Sequence, residues 1–355
     1  MTTRRLLIGL RQPGVLAALG AALLFGAGTP FAKQLLGAVN PWMLAALLYL
    51  GAGIGLSLYR LLTKAPRVTL ARAEHPWFAG AIVAGGIVGP VLLMHGLMRM
   101  PASGASLLLN AEGVFTAVLA WVAFKENVDR RIALGMLAIV LGAAVLSWEG
   151  EVRFGSMWAV LALLGACLAW GLDNNLTRKV SLTDATWIAA VKGLVAGAVN
   201  LVLALTLSED AGALPALYPA LGAMLIGLLA YGVSLALYVV GLRHLGTART
   251  GAYFSLAPFL GAALALAMGE PLTWPLVIAA TLMGGGLWLH LTEQHSHLHT
   301  HTPLTHDHEH THDAHHLHAH DDELTPGTRH RHTHAHAALS HSHAHFPDAH
   351  HQHVH

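Results

Sequence analysis

Charge is what this chain lacks most. Only 11% of its 355 residues are Asp, Glu, Lys or Arg, against roughly 25% in an ordinary soluble domain. That scarcity excludes a conventional water-soluble globule, and it offers no basic surface that would point to nucleic acid as a partner. Cysteine is scarcer still. Cys167 stands alone inside an apolar run, so no internal disulfide forms, the residue reads as packing, and no redox compartment follows from it. No phosphate-cradling loop of an ATPase is present, which leaves ion gradients or the solute's own gradient as the driving force. The apolar part carries no clustered nucleophile and base and no convergent metal ligands, so a membrane-embedded enzyme is the weakest reading. The opening MTTRRLLIGLRQPG is short and basic and lacks a clear small-residue cleavage site, so the first span is expected to be retained.

What is present is apolar. Hydrophobic residues make up 54% of the chain, and the mean hydropathy is +0.54 even with a polar end included. A helix needs about 20 apolar residues to cross the hydrocarbon, and open backbone is not tolerated there. Ten such stretches occur, near 14–37, 41–62, 77–98, 101–124, 131–148, 155–177, 185–207, 217–241, 246–268 and 272–291. With the amino terminus inside the cell, the inner segments hold Arg4, Arg5, Arg11, Arg60, Lys64, Arg67, Arg72, Lys125, Arg130, Arg131, Arg178, Lys179, Arg243 and Arg249. The outer loops then hold only Arg99 and Arg153, beside Glu149, Glu151, Glu209, Asp210 and Glu270. This is the positive-inside asymmetry, and it places both termini in the cytoplasm of a multi-pass cell-membrane protein.

The body repeats itself at an offset of about 145 residues. AALLFGAGTPFAK, ending at Lys33, aligns with ACLAWGLDNNLTR, ending at Arg178. Phe25-Gly26 falls on Trp170-Gly171, Gly96-Leu97 on Gly241-Leu242, and, after a one-residue slip, Glu126 on Glu270 and Gly142 on Gly286. Five spans per unit force the second copy to enter the membrane from the opposite side, the inverted-repeat plan of many secondary transporters. The expected fold is therefore an all-α membrane protein of ten transmembrane helices in two inverted five-helix repeats, with a disordered tail. Its expected divisions are a short cytoplasmic segment 1–13, repeats at 14–148 and 155–291, and a cytoplasmic tail 292–355.

The motifs FGAGTPFAK, AEGVFTAVLAWVAFKE, LGMLAIVLGAAVL, AWGLDNNLTRK and SLAPFLGAALALAMGE, with the glycine-rich last span, carry a resemblance. The chain resembles the drug/metabolite transporter superfamily in its ten-span branch built from two EamA-type domains, over residues 14–290. That resemblance implies a carrier of small organic solutes, often an exporter, in an inner or plasma membrane. The family's fourth span usually reads Glu-Pro. Here Glu112 precedes Gly113, and in the ninth span Ala257 precedes Pro258, so each half keeps one member of the pair.

An ionisable side chain within lipid needs a reason. Glu112, with Ala105 and Thr116 on its expected face, is a candidate for proton coupling or solute binding. Lys192, midway along the seventh span with Asn200 two turns on, is expected to pair with Glu112 or Asp173. Asp173, Asn174 and Asn175 form the densest polar cluster, and Asp173–Thr177 and Asn174–Arg178 are each four apart on a helix face. His95, Tyr231 and Tyr238, with Ser234 beside them, are weaker cavity candidates. Trp42, Trp77 and Trp274 at span edges read as interface anchors.

The tail from His295 holds 23 of the 27 histidines, in alternating units such as HSHLHTH, HDHEHTH and HRHTHAH. Neutral imidazole suits Zn, Cu, Ni and Co, which makes His297, His299, His301, His306, His308, His310, His312, His332, His334 and His336 loose, non-selective metal candidates. With nothing to bury, this segment is expected to be disordered without a ligand. No cofactor is required. The leading reading is a secondary carrier of a small organic metabolite, possible partners being the bilayer, the solute, protons and divalent metal ions. A metal-efflux carrier, a metal-regulated transporter and a membrane metal sensor are the alternatives. The sequence leaves monomer and homodimer equally open.

Overall fold

A computed structural model describes residues 13–124, 130–147, 154–180, 183–207 and 214–291 of the body, and 296–301, 304–310, 330–336 and 339–344 of the tail. Among the charges used to orient the chain, Arg4, Arg5, Arg11, Lys125, Glu149, Glu151, Arg153, Glu209 and Asp210 lie outside the described residues. So do His312 and Glu126, the expected counterpart of Glu270. The chain divides into two compact units, Met1–Glu293 and Gln294–His355.

The described residues of the first unit form helices joined by turns and loops, with no strand among them. Its helices are α1 (Pro13–Leu35), α2 (Pro41–Leu62), α3 (Arg72–Met98), α4 (Ala102–Leu108), α5 (Ala111–Phe124), α6 (Arg130–Ser147), α7 (Phe154–Arg178) and α8 (Ala185–Leu207). Helix α9 follows as Leu217–Ile226, Gly227–Val233 and Ser234–Phe254, then α10 (Ala257–Ala267) and α11 (Trp274–Leu291). Local chemistry sets several starts. The Asn40 side chain accepts from the Met43 N–H at 2.8 Å, with Pro41 opening the helix, an arrangement that satisfies an otherwise orphaned donor. Asp184 does the same for α8, accepting from the Trp187 N–H at 2.9 Å.

Among the described residues, six helical stretches are long and apolar enough to cross a bilayer, at Pro13–Leu35, Pro41–Leu62, Arg72–Met98, Met157–Arg178, Ala185–Leu207 and Leu217–His244. This corrects the expectation of ten continuous spans. The stretch 101–124 is broken at Leu109–Asn110, where the Asn110 amide turns back onto the Leu107 carbonyl at 3.0 Å. The stretch 246–268 is broken at Ser255–Leu256, where the Ser255 hydroxyl donates to the Gly251 carbonyl at 2.8 Å and Pro258 opens the next helix. Side chains that bond their own backbone compete with the helix, and hydropathy averages over such breaks. Helices α6 and α11 are apolar but only 18 residues long. Because of the first break, Ala105 and Glu112 belong to different helices and share no continuous face.

The two breaks lie about 146 residues apart, and a second pair of irregularities lies about 145 apart: π-helical turns at Ile82–Val88 and Gly227–Val233. Helix contacts follow the same exchange. Helix α2 packs along α8 and α6 along α11; α1 packs on α9 and α10, while α7 packs on α3 and α5. This packing is consistent with an inverted-repeat arrangement. With no water-driven force between helices in lipid, close approach at small residues carries the association. At the α2–α8 crossing a methyl on Gly193 would stand 2.5 Å from the Gly53 nitrogen and 2.7 Å from its Cα. Large apolar side chains such as Leu16, Leu161, Val202 and Trp288 stand exposed on the outer faces, as lipid-facing positions do.

The described residues of the second unit form four strands: β1 (Ser296–His301), β2 (Leu304–His310), β3 (His330–His336) and β4 (Leu339–Ala344). Strand β1 pairs antiparallel with β4, and β2 with β3. His-x-His alternates with a period of two, the period of a strand, and both arms of each ladder carry that alternation.

Candidate functional site

A cavity of about 480 Å³, its mouth included, lies between α1, α2, α5, α7, α8 and α9. Its polar floor comes from three helices. Lys192 of α8 donates to Asp173 of α7, and both are buried, at 2% and 6% exposure. The other carboxylate oxygen of Asp173 accepts from the Thr177 hydroxyl at 2.8 Å. A buried charge is tolerated only when paired and hydrogen-bonded, and Asp173 has both a cation and a hydroxyl. Glu112 of α5 also lines the cavity and accepts from the Asn174 amide at 2.7 Å. Asn174 reaches Thr116 at 3.4 Å, and Asn175 ties α7 internally through the Gly171 carbonyl at 2.8 Å.

Aromatic rings make the walls. Phe25 meets Trp170, Tyr231 and Phe254 with centroids 5.3–5.8 Å apart, and Tyr238 meets Phe254 at 4.9 Å. Behind them the π-helical turn in α3 acts as an anchor. The Gly89 N–H bonds to the Ala84 carbonyl, skipping Gly85, and Pro90 has no N–H to offer. The carbonyls so released are taken by side chains: Gly85 accepts from the Tyr49 hydroxyl at 2.6 Å and the Trp170 indole at 3.0 Å, and Gly86 from the Asn200 amide at 2.9 Å. Gly85 must be glycine, since a methyl there would collide with the Asp173 carboxylate.

Of the residues expected from the sequence, Glu112, Asp173, Lys192, Tyr231 and Tyr238 line one cavity, and Asn174 supports Glu112. Asn200 is buried but serves the Gly86 carbonyl behind the wall. His95 lies elsewhere, bonded to the Val91 carbonyl of its own helix at 2.9 Å and edge-on to Trp42. Tyr49, Phe25 and Phe254 carry no signal in sequence that separates them from packing aromatics. Trp170, one helical turn before Asp173, and Gly85-Gly86 followed by Gly89-Pro90 were legible signals of a special place.

Polar contacts also tie each end of the bundle. At one, Glu270 accepts from the Ala102 and Ser103 N–H groups at 2.7 and 2.8 Å, and Lys33 donates to the Leu97 carbonyl at 2.7 Å. Burial alone would raise the Glu270 carboxyl, but its bonds from Ser103 and Ala102 and the Lys33 charge hold it below the usual range. At the other end Arg60 donates to Asp184 at 2.5 Å and to Thr186 at 2.7 Å, and Arg243 donates to the Thr183 carbonyl at 3.0 Å.

Among the described residues of the helical unit, no three His, Cys, Asp or Glu side chains converge as metal ligands. Known proteins agree with the fold. An uncharacterized transporter of Methanothermobacter thermautotrophicus is 27% identical over 295 residues, covering 78% of this chain and 85% of that one. A probable amino-acid metabolite efflux pump of Salmonella typhimurium is 27% identical over 212 residues, covering 54% and 68%. A crystal structure matches with a TM-score of 0.60 at 18% identity, covering 77% of this chain and 94% of that one. The model of the EamA-like transporter family matches twice, over residues 12–148 and 157–292. With buried charges walled by aromatic rings inside a multi-span helical membrane protein, and with both matches spanning its helical body, the chain belongs to the EamA-like transporter family.

Proposed function

We propose that this protein is a proton-coupled secondary exporter of a small organic metabolite bearing both an amino and a carboxylate group. The observation that carries the reading is the buried Lys192–Asp173 pair beside Glu112 in one aromatic-walled cavity. A solute carboxylate would compete with Asp173 for Lys192, while its ammonium would meet the carboxylate that is released. Glu112 would hold or lose the coupling proton, its charge tuned by the Asn174 bond. The Salmonella relative, an amino-acid metabolite efflux pump by description, supports both the solute class and the outward direction.

In this reading all ten predicted stretches cross the cell membrane in two inverted halves, with the fourth stretch of each half crossing as a broken helix and both termini in the cytoplasm. Matched π-helical turns, matched breaks and exchanged contacts support it. A reporter fused at Arg67 or after residue 292 should read inside, and one at Glu209 outside. The functional test is solute accumulation in a deletion strain carrying the full chain or the chain truncated after Thr292, across amino acids and divalent metals. Lowered cellular amino-acid content with either form, abolished by a protonophore, supports the proposal. Lowered metal content that requires the tail, with amino acids unchanged, replaces it with metal efflux.

A further inference from the structure

The backbone register of the tail strands is ordered in a way their composition does not require. In the β2–β3 ladder the opposed residues are His306 and His334, His308 and His332, His310 and His330. Successive strand residues alternate between faces, so these three rungs share one face. The rungs between them, Asp307 with Thr333 and Glu309 with Arg331, take the other. The β1–β4 ladder repeats the device with His297 opposite His343 and His299 opposite His341. A register slip of one residue would destroy every histidine pair at once. Alternation by itself produces loose imidazoles; alternation in both arms, in this register, produces rows of opposed pairs.

Opposed residues of an antiparallel ladder have Cα atoms about 4.5–5.5 Å apart, and neighbours on one face of a strand are about 6.6–6.8 Å apart. Two adjacent rungs therefore gather four imidazole-bearing residues in one small patch. We propose that the β2–β3 ladder is a binding site for a borderline divalent ion of the Zn(II) or Ni(II) class, taking four ligands from two adjacent His–His rungs, and that β1–β4 is a second, two-rung site. Imidazole nitrogen suits these ions and not Ca(II) or Mg(II), which demand oxygen. The site also explains how the strands persist: a two-stranded hairpin is marginal in water, and an ion joining both strands makes its binding energy folding energy. Selectivity then comes from register, in contrast to the heterogeneous binding expected of a flexible chain.

The test titrates Zn(II), with Ca(II) as control, into purified full-length protein in detergent and into three variants. The first replaces His306, His308, His332 and His334 with Asn. The second replaces the same number elsewhere in the tail, His315, His316, His318 and His320. The third keeps composition but moves the middle rung to the other face, by Asp307→His with His308→Asp and Thr333→His with His332→Thr. Losing even outer partners of a metal site costs about 10–100-fold in affinity. The first and third variants should therefore weaken the tightest Zn(II) binding by at least about tenfold, the second leaving it unchanged. Equal weakening in the first and second, or wild-type binding in the third, would show that histidine count alone matters and overturn the site.

Discussion

In α3 the π-helical turn runs into Gly89-Pro90, whereas its counterpart in α9 runs into Ser234-Leu235. The first releases carbonyls that Tyr49, Trp170 and Asn200 then hold, so the turn is an anchor. The second keeps a hydroxyl that donates to the Ala21 carbonyl at 2.9 Å, and it presents Ala230 and Tyr231 to the cavity, so the turn is a wall. Charge is divided just as unequally. At an offset of about 145, Glu112 corresponds to Ala257, Asp173 to Gly28 and Lys192 to Leu47. Related backbones thus frame a site whose chemistry is not symmetric. A carrier that must recognise one solute in two states needs a symmetric frame for the motion but only a single set of binding groups.

The largest effect should come from breaking the charge asymmetry. Lys192→Met leaves Asp173 buried without its cation, a loss of about 3–5 kcal/mol for such pairs, and should lower both membrane abundance and transport. Removing both charges, Lys192→Met with Asp173→Asn, should restore abundance but not transport. Full transport by the double variant would reduce the pair to packing. Next, Glu112→Gln should leave abundance intact, because glutamine still accepts the Asn174 bond, while abolishing gradient-driven transport. Unchanged driven efflux would assign Glu112 to structure alone.

The anchor and the wall can be separated by two hydroxyl deletions. Tyr49→Phe removes one of two donors to the Gly85 carbonyl and should cost about 0.5–1.5 kcal/mol, read as a lower unfolding temperature in detergent. Tyr231→Phe should stay within about 0.5 kcal/mol of wild type but raise the half-saturating solute concentration. The reverse pattern would exchange the roles assigned to the two turns.

How legible all this was in sequence differs by residue. Lys192, Asp173 and Glu112 stood out because charge inside an apolar run is costly and therefore visible. The halves were found because Phe25-Gly26 and Trp170-Gly171 repeat. The broken helices were not, since a turn at Asn110 or Ser255 costs hydropathy almost nothing. Tyr49 and Phe25 were missed because a cavity aromatic and a packing aromatic look alike until neighbours are placed. His95 drew notice for the opposite reason: its titratable ring suggests function, while its bond to Val91 is local. In the tail the composition spoke for metal, but only strand pairing reveals which histidines oppose one another.

The smallest effect expected concerns the bundle end at Asp184, compared with that at Glu270. Both carboxylates accept N–H groups from the first turn of a helix. Asp184 alone also receives an arginine, Arg60, within hydrogen-bond distance. Burial by itself would raise the Asp184 carboxyl, but bonds from Thr186 and the Trp187 N–H, with the Arg60 charge, bring it below its ordinary 3.8. A carboxylate held low in the folded state binds fewer protons there than in the unfolded chain, so its stabilisation is complete above the unfolded value and is lost as pH falls through the folded one. Asp184→Ala should cost about 1 kcal/mol through the lost helix cap, with the partly exposed ion pair adding little. Asp184→Asn keeps the cap and should cost less. The difference in unfolding temperature between wild type and Asp184→Ala, followed by tryptophan fluorescence in detergent, should hold steady from pH 7 to 5 and shrink toward pH 3. If it stayed constant down to pH 3, the negative charge would carry none of the stabilisation, and the two bundle ends would differ in geometry but not in electrostatics.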